Sequence, residues 1–120
     1  MKLSQFEELV REALAGLPPG CLDKMSNVDV VVEQWPSTED LLEADVSPAE
    51  TLLGLYVGIP MTEREGYNMA LPDKITIYQA PIEDQCQTEV EMEKAVRETV
   101  MHELAHHFGI DDDQLIAWGL

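Results

Sequence analysis

The stretch 88–113, "TEVEMEKAVRETVMHELAHHFGIDDD", constrains this 120-residue chain more than any other. It opens with Thr88-x-x-Glu91, a capping box in which a hydroxyl and a carboxylate satisfy free backbone N–H groups at a helix start. Gly109 can take positive φ, end the helix and turn the chain back on itself. The spacing between them predicts one helix running to about Phe108, about 20 residues and roughly 30 Å long.

On a wheel of about 100° per residue, Val96, Val100, Met101, Leu104 and Phe108 fill one broad apolar face. His107 falls between Val96 and Val100 and is expected as a buried, hydrogen-bonded core histidine. His102 and His106 lie about 40° apart on the opposite side, where the small neighbours Ala95 and Thr99 leave room above the rings. Such an i,i+4 pair can place both imidazoles on one metal, each about 2.0–2.1 Å from zinc. Glu103 is turned by one residue to the edge of that face. There its carboxylate stays off the ion but near a bound water, where a general base is wanted. A helix supplies only two imidazoles. The turn at Gly109 makes Asp111, Asp112 and Asp113 candidates for the third ligand. Two imidazoles and one carboxylate leave a coordination position open, which suits catalytic better than structural zinc.

The rest of the chain reads as a helix followed by strands. Ser4-x-x-Glu7 resembles a second capping box, with Leu3, Phe6, Leu9, Val10, Ala13, Leu14 and Leu17 at helical spacing behind it. Gly16 and "LPPG" at 17–20 end that helix. Residues 28–36 have strand propensity, and an acidic, irregular connection follows. Ser47-Pro48-x-Glu50 marks a further helix start of about one turn, before a strand within 52–60. A loop follows at 61–73. In 74–82, Lys74, Thr76 and Tyr78 alternate with Ile75 and Ile77, and Pro81 ends the run as suits an edge strand. The order of elements is that of an α+β fold in one domain, residues 1–120.

Composition narrows the partners. A net charge of −17 argues against nucleic acid and against an anionic membrane, both of which would repel the chain. The start "MKLSQFEELV" lacks the basic, then apolar, order of a signal peptide, and no run approaches the roughly 20 apolar residues of a membrane span. Cys21 and Cys86 form no CxxC and are expected as buried or spectator thiols. A soluble, cytoplasmic protein is the expectation.

The whole run His-Glu-x-x-His-x-x-Gly-x-x-Asp resembles the zincin metallopeptidases, and in particular the minimal, single-domain zincin-like family of small bacterial proteins. "LLGLYVGIPMTER" (52–64), "LPDKITIYQAPIE" (71–83), "HELAHHFGIDDD" (102–113) and the terminal Trp-Gly are similar to that family's segments, in its order. The resemblance implies a zincin-like α+β fold, with a small mixed sheet packed on helices and the active-site helix near the C-terminus. It implies His102, His106 and Asp112 as ligands of Zn2+ and Glu103 as base and acid, with Asp112 standing where many larger zincins have a third histidine. Zincins pair an extended substrate with an edge strand, which makes an extended peptide along 74–80 the expected partner. The function so implied is hydrolysis of a peptide bond by a zinc-activated water. The alternative is a non-catalytic zinc- and peptide-binding module on the same scaffold. Glu98, one turn before His102, is expected as a surface glutamate, and Tyr67 and Tyr78 as packing residues.

Overall fold

Thr88 and Gly109 delimit the longest helix as their chemistry dictates. The Thr88 side chain accepts from the Glu91 N–H at 3.1 Å, and Gly109 closes the helix in the left-handed region at φ 64°, ψ 37°. The computed structural model describes residues 1–44, 52–58 and 72–119, with the side chain of Asp112 outside that set. The elements run α1 (Leu3–Ala15), α2 (Pro19–Lys24), β1 (Val28–Glu33), α3 (Thr38–Glu43), β2 (Gly54–Val57), β3 (Asp73–Tyr78), α4 (Gln79–Gln85), α5 (Glu89–Phe108) and α6 (Asp112–Ala117). The helix start expected at Ser47-Pro48, most of the 61–73 loop and Tyr67 lie outside the described residues.

The strands form a mixed sheet in the order β1-β3-β2. β1 runs parallel to β3, from Val28 opposite Asp73 to Glu33 opposite Tyr78. β2 runs antiparallel to β3, from Gly54 opposite Ile77 to Val57 opposite Lys74. On one face, Ile75 and Ile77 meet Phe6, Val10 and Ala13 of α1 and Val96, Val100 and Leu104 of α5 in a single core. Burying large side chains of this kind stabilises by about 1.5–3 kcal/mol each. On the other face Thr76 and Tyr78 are buried as well. Burial, and then the nearby Asp40 carboxylate, push the Tyr78 phenol far above its ordinary range.

This arrangement corrects the expectation of an edge strand at 74–80. β3 is the central strand, with β1 and β2 occupying both its sides, so a peptide has no free edge there. The alternation in "KITIYQ" reports two faces and not two neighbours; its polar face is covered at Thr76 and Tyr78. Pro81 ends no strand. It lies buried in the first turn of α4, where a missing N–H removes no helical bond.

Gly54 sets the distance between sheet and motif helix. A Cβ there would stand 2.6 Å from Thr99 Cγ2 and 3.0 Å from the Thr76 carbonyl oxygen. Only glycine lets β2 lie this close on α5. At the other end of the sheet, buried Gln79 donates to the Met1 carbonyl at 2.9 Å and to Glu83 Oε1 at 2.7 Å, and accepts from Gln34 Nε2 at 3.3 Å. Its side-chain amide is satisfied at both ends, so its burial costs little.

Candidate metal centre

Three residues of α5, spaced four apart, face β2. Thr99 meets Gly54, Glu103 meets the backbone of Tyr56, and His107 meets the ring of Tyr56 and the neighbourhood of Gly58. His102 and His106 fall on the flank beside this row, turned away from the buried Val96, Val100 and Leu104. Both imidazoles are exposed. The Glu103 carboxylate is half-buried, and its Oε1 accepts from the Tyr56 N–H at 2.8 Å. The helix therefore carries Glu103 at the rim of the sheet and His102 and His106 just outside that rim.

Behind His106 the chain turns as glycine permits. The N–H of Ile110 reaches back to the Ala105 carbonyl at 2.9 Å, closing the helix end, and Ile110 packs against the core. The next residue, Asp111, starts α6: its Oδ1 accepts from the Gln114 N–H at 2.9 Å. That oxygen caps the start of α6. Asp112 and Asp113 are the first two residues of α6, with the Asp113 side chain exposed. The side chain of Asp112, the ligand expected from the resemblance, lies outside the described residues. Trp118, 7% exposed, anchors α6 by packing its indole Nε1 edge against Gly20 of α2.

In donor type and spacing, His102 and His106 fit zinc: two neutral-capable imidazoles one helical turn apart, open to solvent on one side. Among the described residues, no three His, Cys, Asp or Glu side chains come together as a complete set. Two clefts border the turn. One of about 520 Å³ lies between Gly20, Lys24, Gly109, Ile110, Asp111 and Trp118. The other, about 300 Å³, is lined by Lys24, Asn27, Tyr56, Asp73 and Phe108. Neither includes His102 or His106, which stand on the open surface.

His107 corrects the sequence reading. It is no core residue: its side chain is 38% exposed, stacked on Tyr56 with ring centroids 3.9 Å apart and planes at 17°. Its Nε2 lies 3.9 Å from Asp73 Oδ2, which also accepts from the Tyr56 hydroxyl at 2.5 Å. Phe108, placed on the apolar face by the wheel, is 42% exposed and packs edge-on against both rings, with the Lys24 ammonium 5.4 Å from its centroid. The wheel gives an angle and not a height. Val96 and Val100 lie beneath the sheet, whereas residues 107 and 108 sit at the last turn, where the sheet ends.

Sequence reasoning does not find Tyr56 and Asp73 as supporting residues, since no spacing links a residue of β2 to one of β3 and one of α5. Glu98 is the surface residue expected, 3.9 Å from Lys94 Nζ. Cys21 and Cys86 are free thiols. Burial pushes Cys21 up to about 11, and burial together with Glu91 raises Cys86.

Among solved structures, the chain is similar to a conserved hypothetical protein from Thermus thermophilus. The two share 24% identity and a TM-score of 0.58 over 90% of this chain and 94% of the other, which shows a common fold. No curated protein matches. No helix among the described residues is long and apolar enough to cross a membrane. The family model for zincin-like metallopeptidases matches residues 25–120, most of the chain, and the protein belongs to that family.

Proposed function

We propose that the chain is a zinc-dependent peptidase acting on an extended peptide beside the outer edge of β2. His102, His106 and Asp112 would hold the ion, and Glu103 would serve as base and acid. The observation that carries the reading is the Glu103 carboxylate at the rim of β2, bonded to the Tyr56 N–H, with both histidines exposed on the adjoining flank of the same helix. Zinc held there would supply a Lewis acid for the scissile carbonyl and lower the pKa of a water toward about 7.

The remaining work falls to the chain's own residues. β2 offers main-chain groups that hold a peptide extended and in register beside α5. Glu103 takes a proton from the attacking water and delivers it to the leaving amine, so that the carboxylate is regenerated at the end of each cycle. Asp111 has its Oδ1 engaged in capping α6, which supports Asp112 as the third ligand.

A second reading, a zinc- and peptide-binding module without turnover, draws support from the open setting of His102 and His106, which neither bordering cleft encloses. Zinc titration separates both readings from adventitious binding. One zinc per chain is expected for the wild type, with affinity falling at least about tenfold in His102→Ala, His106→Ala and Asp112→Ala. Full-strength binding in the double variant of both histidines would rule out the site.

A further inference from the structure

We infer that the Tyr56 N–H is a resting place for the Glu103 carboxylate, and that a peptide docking on β2 frees that carboxylate by taking over the same hydrogen bond. The inference rests on the reading of Glu103 as the base, and it adds how that base is held and released.

Main-chain polar groups alternate in direction along a strand. The Tyr78 N–H donates to the Leu53 carbonyl at 3.0 Å, so Leu53 turns its polar groups toward β3, and Leu55 and Val57 do the same. Those of Gly54 and Tyr56 then face outward. Among the described residues no strand lies beyond β2 on that side. The outward N–H of Tyr56 is nonetheless satisfied, by Glu103 Oε1 at 2.8 Å.

A peptide adding to this edge as a further strand needs that N–H for a carbonyl of its own. One N–H does not serve a carboxylate and a carbonyl at full strength. Docking therefore has to displace Glu103, whose carboxylate then loses its donor on the strand and becomes available on the side of His102 and His106. With no peptide bound, the same bond holds the carboxylate on the strand. Tyr56 acts as a positioning residue. Its ring is stacked on His107 and its hydroxyl bound to Asp73, which fixes the N–H against which the carboxylate rests.

The test compares the wild type with Glu103→Ala and Glu103→Gln, as 15N-labelled full chains. The probe is a pool of N-acetylated, C-amidated hexapeptides of Lys, Val and Thr, extended in habit and cationic to suit a chain of net charge −17. Alanine removes the acceptor from Tyr56; glutamine removes the charge and keeps an oxygen. The Tyr56 amide signal is expected to move on peptide addition. Glu103→Ala should bind roughly tenfold tighter than wild type, the order of one charge-assisted hydrogen bond no longer displaced. Glu103→Gln should stay within about threefold of wild type, its oxygen still competing for the N–H. That gain runs against simple electrostatics, since a less acidic protein attracts a cationic peptide less.

Equal or weaker binding by Glu103→Ala overturns the inference, as does peptide binding that leaves the Tyr56 amide unmoved, or no binding at all. Hydrolysis plays no part in the readout. A wild type that binds as described and cleaves nothing keeps the exchange at Tyr56 and defeats the peptidase reading.

Discussion

The imidazole of His107 lies stacked on the ring of Tyr56, 3.9 Å between centroids, where β2 meets the last turn of α5. Through its hydroxyl and its N–H the same tyrosine reaches Asp73 on the central strand and Glu103 on the motif helix. His107 thus belongs to the support of the rim and not to the pair of histidines beside it. We expect His107→Ala to keep one zinc per chain and to lower stability by about 1 kcal/mol, the worth of a stacked aromatic pair, in urea unfolding. Loss of the zinc in that variant would contradict the assignment.

Gly54 makes a second support, by having no side chain. We expect Gly54→Ala to cost about 1–3 kcal/mol, because its Cβ would press on Thr99 Cγ2 and the Thr76 carbonyl. Replacing Thr99 by serine removes the first of these atoms. Thr99→Ser should therefore recover part of the loss in the double variant, leaving the clash with the Thr76 carbonyl in place. Strictly additive unfolding energies in the double-mutant cycle would show that this contact is not what limits the approach.

The neighbouring aspartates should separate by role. Asp111→Ala should lower stability by about 1 kcal/mol through loss of the α6 cap, with zinc affinity kept within a few-fold. Asp112→Ala should do the reverse, retaining stability in the zinc-free protein and losing zinc. Paired urea unfolding and zinc titration read both effects.

Cys21 supplies a pH signature. Its thiol is fully buried, and its pKa is raised by burial from 9.0 to about 11. The folded state holds this proton more tightly than the unfolded chain. The stability so contributed is complete below about pH 9 and is lost as pH rises through about 11. Between about pH 8 and 11, urea unfolding of Cys21→Ala should therefore show a different slope from the wild type, whose stability carries the thiol's contribution. At about pH 8, iodoacetamide should leave Cys21 of the folded protein unmodified.

The parts of this fold legible in the sequence are those set by neighbours along the chain. Thr88 caps α5 and Gly109 ends it at the expected residues, because both act on backbone groups within one turn. α1 ends at Gly16 as expected, but starts earlier than the Ser4 box suggests. Its first turn is closed by Gln5 Oε1 accepting from the Lys2 N–H at 3.0 Å. α3 falls in a stretch whose acidity reads as irregular, although Ser37 and Asp40 form a reciprocal cap there, with aspartate where glutamate is usual. α6 is hidden because Asp111-x-x-Gln114 reads as a supply of ligands before it reads as a helix start. The central place of β3 and the position of His107 depend on residues distant in sequence. Periodicity gives a face and a phase, and carries no information on which strand lies alongside or where the sheet stops.

The peptidase role of Glu103 is tested by the appearance of new peptide N-termini when a mixed peptide library is incubated with zinc-loaded wild type and with Glu103→Gln at equal zinc occupancy. Cleavage by the wild type is expected, and its loss, by at least about 100-fold, in Glu103→Gln, which removes the proton acceptor and leaves the ligands in place. Equal cleavage by the two proteins would contradict that role.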